Sequence, residues 1–397
     1  MATKPTKTKL LILKEIIPIA AILIFALLLR LYYLFNTPQP ELIYDAHHYD
    51  VMAKQFLEKG FLGYASSKPN AYTTPGYPLF LALLYKIFGY SGGSPLTQVR
   101  VIQILLSVMT IAVLYLLAKD TANKRVGLIT AFFCSVYLVF IWVPTLILTE
   151  TLYTFLFILY LYMQFKAMRH RTHMLHFITG IVLAAAVLVR PAIAPLIILP
   201  YLYYYIETRD SRHIKGFISN LSGFVLLMLP WWIRNAVTLK KLVLFATQED
   251  PLLKGTYPYE MGIEEAPYTN QGQEAIRRII EGFTTQPLLY LKWYTLGKFD
   301  FLYFKIYYYV DEKVTLLRWT LPFHYFIVWF GWVGVLLSAI RKEIRLISLY
   351  IVFITLIQLV FVATSRYAYP VMYLLALLAG YIIDLLFFMQ KQPSDIE

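Results

Sequence analysis

The chain has 397 residues, 59% of them hydrophobic, and a mean hydropathy of +0.60. That is too apolar for a water-soluble domain of this length and points to an integral membrane protein. The formal net charge of +13 would suit a nucleic-acid surface in a soluble chain, but no basic soluble segment is present to carry one, so nucleic acid is not expected as a partner.

A helix needs roughly 20 apolar residues to cross a bilayer. Ten runs reach or approach that length: 10–34, 98–118, 126–143, 146–166, 174–190, 191–206, 213–233, 318–340, 344–363 and 367–389. The expected fold is an all-α polytopic membrane domain over 1–397, with about ten transmembrane helices and no soluble C-terminal domain. The first run is longer than a signal-peptide core and lacks a small-residue cleavage site, so it is expected to be a retained span.

A long loop, 35–97, follows and contains ELIYDAHHYD. Over 46–59 the periodicity predicts a helix lying along the membrane surface. Tyr49, Met52, Ala53, Phe56 and Leu57 share one face, while Lys54, Glu58 and Lys59 lie off it. Asp45 precedes this helix and reads either as a general base for a hydroxyl or as the helix N-cap. Asp50 reads as a solvated charge. His47 and His48 are adjacent and cannot hold one ion together as an i, i+4 pair would, so no metal site is assigned, and any divalent-cation cofactor is left unknown. Tyr44 and His48, close to Asp45, are candidate substrate-pocket residues, together with Tyr77, Asn235 and Tyr367. Lys68 reads as a snorkelling lysine or an anion contact. Thr74-Pro75-Gly76-Tyr77-Pro78 makes a rigid turn into 77–89, which is too short to cross and reads as re-entrant or interfacial.

Glu150, in LTETLY, sits at the outer end of the fourth run, where a carboxylate is costly unless paired or functional. Arg190, in LVRPA, is its expected partner, and Arg190-Pro191 separates the fifth and sixth runs. Arg234 and Asn235 close LPWWIRN, with Trp231 and Trp232 as interfacial anchors. A second long loop, 235–317, contains an amphipathic stretch with Ile276, Ile279, Ile280 and Phe283 on one side and Arg277, Arg278 and Glu281 on the others, ended by Pro287. The two loops could form a lid. Arg366-Tyr367 opens the last run. Arg234 and Arg366 read equally as belt anchors or as phosphate ligands. The 33 tyrosines cluster at span ends as an aromatic belt. Cys134, the one cysteine, excludes disulfides within the chain.

Lys and Arg set the orientation. With the N-terminus inside, the inner segments hold 17 of them and the short outer turns only 2. Both termini are therefore expected in the cytoplasm, in a plasma (cell inner) membrane, which places Asp45, Glu150, Arg190, Arg234 and Arg366 at the outer boundary.

The order and spacing of Asp45, PGYPLFLALLYKIFG, LTETLY, LVRPA, PWWIRN and the final Arg366-Tyr367 with Tyr369-Pro370 resemble the C-type membrane glycosyltransferases. The similarity is to the glycosyltransferase 39-like group, which includes protein O-mannosyltransferases and the lipid A aminoarabinose transferase. The resemblance implies a hexosyl- or pentosyltransferase that uses a polyprenyl-phosphate sugar within the membrane lipid. The acceptor would be a hydroxyl of a lipid, glycan or protein on the extracytoplasmic face, attacked with inversion. It also implies Asp45 as base, and Arg234, Arg366, Lys68 or Arg190 at the donor phosphate. Where the mannosyltransferases carry Asp-Glu, this chain has Asp45-Ala46, so Glu150 would supply any second acid. No phosphate-binding glycine loop is present, in keeping with a lipid-linked donor. The rival reading is a transporter or flippase, but such proteins place ionisable groups at mid-membrane and show repeated halves, neither of which is seen here.

Overall fold

The computed structural model describes residues 7–261, 270–307 and 315–388. Residues 262–269 and 308–314 of the second long loop, and the end of the last run at 389, lie outside the described residues. In chain order the α-helices are α1 (Lys7–Asn36), α2 (Tyr44–Lys59), α3 (Gly76–Phe88), α4 (Leu96–Thr121), α5 (Lys124–Val136), α6 (Leu138–Trp142), α7 (Glu150–His170), α8 (His173–Val189) and α9 (Leu199–Thr208). They continue as α10 (Arg212–Leu239), α11 (Asp250–Lys254), α12 (Gln271–Thr285), α13 (Pro287–Lys292), α14 (Lys298–Tyr303), α15 (Thr315–Leu336), α16 (Lys342–Val360) and α17 (Ser365–Phe388). No strand occurs among the described residues.

By length and apolarity, six described helices can cross a membrane: Ile16–Asn36 of α1, α4, α10, Arg318–Leu336 of α15, α16 and Ser365–Phe387 of α17. A seventh arises if α5 and Leu138–Thr145, bent by 68°, count as one span. The other expected runs differ in instructive ways. α7 has 21 residues, but its tyrosines, Gln164 and Lys166 make it less apolar. It can afford this because much of it is buried against protein rather than lipid. α8 has 17 residues. Residues 191–206 are not one helix: Pro191 and Pro195 divide them into a 3₁₀ stretch, Pro191–Ile197, and α9.

α17 is the central helix, and 78% of its apolar window is buried; the corresponding figure for α1 is 11%, with Ile17, Ile24, Leu28 and Phe35 facing outward. α8 and α10 pack almost backbone to backbone. A Cβ at Gly180 would lie 1.9 Å from the Asn220 carbonyl oxygen, and one at Gly223 would lie 2.0 Å from that of Phe177. Small residues permit this approach, which in lipid supplies much of the attraction between helices.

The break between α5 and α6 has a buried cause that the sequence reading missed. Arg30 of α1 is fully buried. Its guanidinium donates to the Cys134 carbonyl at 3.0 Å, the Ser135 carbonyl at 3.3 Å and the Ser107 hydroxyl at 3.0 Å. Carbonyls at the end of α5 that have no helical donor thus find a charged one, which lets the chain turn inside the bundle.

The two long loops are joined to each other and to the ends of the spans. Tyr72 donates to Asp250 at 2.8 Å, and Thr247 N–H donates to the Ala71 carbonyl at 2.8 Å. Lys298 donates to the carbonyls of Leu359 (2.8 Å) and Phe361 (2.9 Å), capping α16. Burial pushes this ammonium down to about 7. Of the amphipathic stretch in the second loop, α12 forms as expected and ends before Pro287, with Ile276, Ile280 and Phe283 exposed.

Candidate active site

α2 forms over Tyr44–Lys59, with Tyr49, Met52 and Ala53 of its expected apolar face buried but Phe56 exposed. Its start differs from expectation. The helix begins at Tyr44, which has a φ of +48°, and the cap position is Ile43 with no side-chain cap bond. Asp45 lies inside the first turn, so the N-cap reading falls away and its carboxylate is free for other partners. Asp50 is corrected as well. It is buried, not solvated, and accepts from Tyr85 (2.5 Å), Ser94 (2.5 Å) and Lys54 (2.9 Å). These bonds fasten α2 to α3 and to the turn before α4, which fixes where Asp45 sits.

Four charged residues from four helix ends meet at one point. Asp45 accepts from Arg366 Nη1 at 2.8 Å and from the Tyr64 hydroxyl at 2.5 Å. Glu150, the first residue of α7, is fully buried and accepts from Arg190 Nη2 at 2.6 Å and from Arg366 Nε. Arg190 also donates to Thr149 Oγ1 at 2.8 Å and lies over the rings of Tyr153 and Tyr367, at 5.7 and 5.5 Å. The position of Arg190 follows from its neighbour: a residue before proline is pushed from helical to extended backbone. At φ −144° and ψ 113° it ends α8 and turns its side chain across to α7.

Burial acts to raise the Asp45 carboxyl, but the Arg366 guanidinium and the bond from Tyr64 outweigh it and hold the carboxyl below its usual range. Burial and the Asp45 bond together raise the Tyr64 hydroxyl, so it stays protonated and donates. Arg366 Nη2 and Arg190 Nη1 make no bond among the described residues. Asp45 is about one-third exposed, Arg366 and Arg190 less so. The cluster is thus a nearly neutral set with one reachable carboxylate and two spare guanidinium nitrogens, an arrangement suited to a proton acceptor beside an anion.

The other expected site residues divide. Tyr367 lies under Arg190. The ring of His48 stands 4.8 Å from that of Tyr64. Tyr44 is exposed beside Asp45, and Lys68 is exposed on the loop. Arg234 is not brought to the cluster. Its guanidinium donates to the carbonyls of Asn70 (2.9 Å) and Leu62 (3.1 Å) and to Asn235 (2.9 Å), tying α10 to the first loop. Asn235 is buried and donates to the Val243 carbonyl, so it too is structural here. Tyr77 is fully buried and donates to Gln103, which makes it a packing residue under α2. Tyr64 was missed. Its only signal was its place in an aromatic-rich loop, which also fits a membrane belt.

A family model described as dolichyl-phosphate-mannose-protein mannosyltransferase matches residues 68–233. That stretch contains Glu150 and Arg190 but neither Asp45 nor Arg366. No curated protein matches the chain in sequence. Among solved structures, ArnT from Cupriavidus metallidurans bound to undecaprenyl phosphate is similar, with a TM-score of 0.58 and 12% identity over 94% of this chain and 60% of that one. The Archaeoglobus fulgidus oligosaccharyltransferase in its apo form gives 0.59 and 13% over 92% and 50%. The same archaeal enzyme, AglB, in complex with an inhibitory peptide and a dolichol-phosphate, gives 0.59 and 15% over 92% and 50%. This chain therefore spans about half to three-fifths of the length of the proteins it matches. What it shares with them is the fold of C-type membrane glycosyltransferases.

Proposed function

We infer that this chain, which has the fold of the C-type membrane glycosyltransferases, moves a sugar from a polyprenyl-phosphate donor to an acceptor hydroxyl. The observation that carries the reading is the joined cluster of Asp45, Glu150, Arg190 and Arg366, whose one reachable carboxylate, Asp45, stands on the first long loop. Asp45 takes the acceptor proton as its oxygen attacks the anomeric carbon, and the lipid phosphate leaves as an anion. The spare nitrogens of Arg366 and Arg190 oppose the charge that grows on that phosphate, the kind of electrostatic term that is often the largest in catalysis. A base held below its usual range is weak. The phosphate can correct this by drawing Arg366 away from Asp45, so that basicity rises once the donor is seated. Glu150 keeps both arginines in place and touches neither reactant. The printed ligands of the similar structures, undecaprenyl phosphate and dolichol-phosphate, support this donor class. The transferred group is a hexose or pentose, and the acceptor is a lipid, glycan or protein.

The direct test incubates purified protein with labelled polyprenyl-phosphate hexoses and pentoses and follows release of the polyprenyl phosphate. Release that depends on Asp45 supports the reading. Binding of every donor without release by the folded protein, or movement of intact donor across vesicles, would replace it with the flippase alternative.

The pairing of Asp45 with Arg366 makes a pH prediction. A base with a depressed pKa works at all pH values above it, and its acid limb lies very low. Arg366→Gln removes the main lowering influence, so the limb should move upward by about 1–3 pH units, the usual effect of an adjacent arginine. This is read from the pH profile of kcat/KM, which reports the free enzyme in which Arg366 still holds Asp45, and does not depend on the amplitude of the residual rate. An unmoved limb would separate Asp45 from the observed base.

Orientation is testable with single cysteines in a Cys134→Ser background. Ser67→Cys and Ser91→Cys, both at exposed positions, should react with an impermeant maleimide added to intact cells. Thr172→Cys and Ser211→Cys should react only after permeabilisation. The reverse pattern would turn the site to the cytoplasm.

A further inference from the structure

At the far end of α8 and α10 from the acid–arginine cluster lies a cavity of about 180 Å³ lined by Arg171, His173, His176, Arg212, His213, Lys215 and Gly216. It is separated from Arg190 by the whole of α8, which at about 1.5 Å per residue is roughly 25 Å. It has no part in the transfer described above. Its floor is buried: His176 and His213 are each 4% exposed. His176 Nδ1 pairs with the Tyr201 hydroxyl at 2.8 Å, which leaves Nε2 without a partner among the described residues. That nitrogen lies against Gly216, where a Cβ would come within 2.9 Å of it. The absence of a side chain at 216 is what keeps the ring edge open to the cavity.

The rim is cationic in excess. Asp210 pairs with Arg171 at 3.0 Å and with Arg212 at 2.8 Å, so one carboxylate is shared by two guanidiniums. Lys215 has no acidic partner among the described residues. α8 begins here at His173, and its first backbone N–H groups add to the positive field; those of α10 are already taken, Arg212 N–H by Asp210 Oδ1 and His213 N–H by the Asp210 carbonyl.

We propose that this cavity binds a phosphate-bearing anion. The ligand is either the headgroup of an anionic phospholipid in the adjacent leaflet or a free polyphosphate. Basic pockets between transmembrane helices take such headgroups. Arg171 and Arg212 supply the planar donors and Lys215 a point charge, while His176 and His213 contact the buried side of the ligand.

The test measures two probes on the purified full-length protein. Native mass spectrometry scores retention of phosphatidylglycerol against phosphatidylcholine, and calorimetry follows inorganic pyrophosphate. Arg212→Gln with Lys215→Gln should weaken the bound probe by about tenfold or more, as expected for the loss of two charge-assisted bonds. Both side chains are exposed, so folding is not at risk. Lys342→Gln removes a charge outside the cavity and should change nothing. Retention of phosphatidylglycerol alone identifies a lipid site. Pyrophosphate binding with the same dependence on Arg212 and Lys215 identifies a soluble anion. If the protein binds neither probe, or loses as much with Lys342→Gln, the proposal fails. Donor turnover, which depends on Asp45, is read separately and is untouched by either result.

Discussion

Asp45→Asn is expected to lower sugar transfer by about 10²–10⁴-fold, the usual contribution of a general base, while donor affinity is kept or rises, because the site then carries one surplus positive charge. The asparagine oxygen can still accept from Arg366 while its amide N–H donates to the Tyr64 hydroxyl oxygen, and Glu150 still holds Arg366. What is lost is the negative charge, and with it the ion pair to Arg366 and the capacity to take a proton. No helix cap is lost either, because Asp45 lies within the first turn of α2 and makes no capping bond. Stability should therefore fall only by the value of one partly exposed ion pair, about 0–1 kcal/mol. The measurement compares turnover of a labelled polyprenyl-phosphate sugar by wild-type and variant proteins of equal unfolding midpoint. Turnover within a few-fold of wild type would make Asp45 an anchor for Arg366 and no base.

Which parts of this were legible in the sequence has a physical explanation. Charge in apolar runs reports depth, because each ionisable group near lipid must sit near a boundary or find a partner. Depth placed Asp45, Glu150, Arg190 and Arg366 at one level, and the Glu150–Arg190 pair was visible from it. Azimuth was not visible. Arg234 shares the level but lies on the side of α10 that meets the first loop, where three acceptors take its donors. Asp50 was misread for a related reason. Its partners Tyr85 and Ser94 lie on the next helix and on a turn, and the periodicity of α2 says nothing about what packs over it. The break at Tyr137 was hidden more deeply. Residues 126–143 contain no proline and only one glycine, near their start, so they read as one uniform span. The bend depends on a guanidinium from α1, a tertiary partner more than a hundred residues away. The span count was affected in the opposite way: α7, a helix largely surrounded by protein, need not be as apolar as one surrounded by lipid.

Glu150→Gln should have the larger effect on folding. Glu150 is fully buried and is the shared acceptor of Arg190 and Arg366. With a neutral side chain there, two guanidiniums face one another with only Asp45 to offset them. Removing one partner of a buried charge set typically costs about 3–5 kcal/mol, well above the expectation for Asp45→Asn. The variant should therefore unfold earlier, and its transfer rate should fall because Arg366 and Arg190 are no longer held. The same charge argument gives a second, opposite sign. The site now carries surplus positive charge, so an added phosphate anion should restore more stability to the variant than to the wild type. Unfolding midpoints with and without polyprenyl phosphate test both parts. If the midpoint of Glu150→Gln matched the wild type, Glu150 would not be the structural counter-ion of the two arginines. If the midpoint fell but the lipid phosphate protected both proteins equally, the arginines would be structural only, and the phosphate would have to bind elsewhere, with exposed Lys68 of the first loop the candidate left from the sequence.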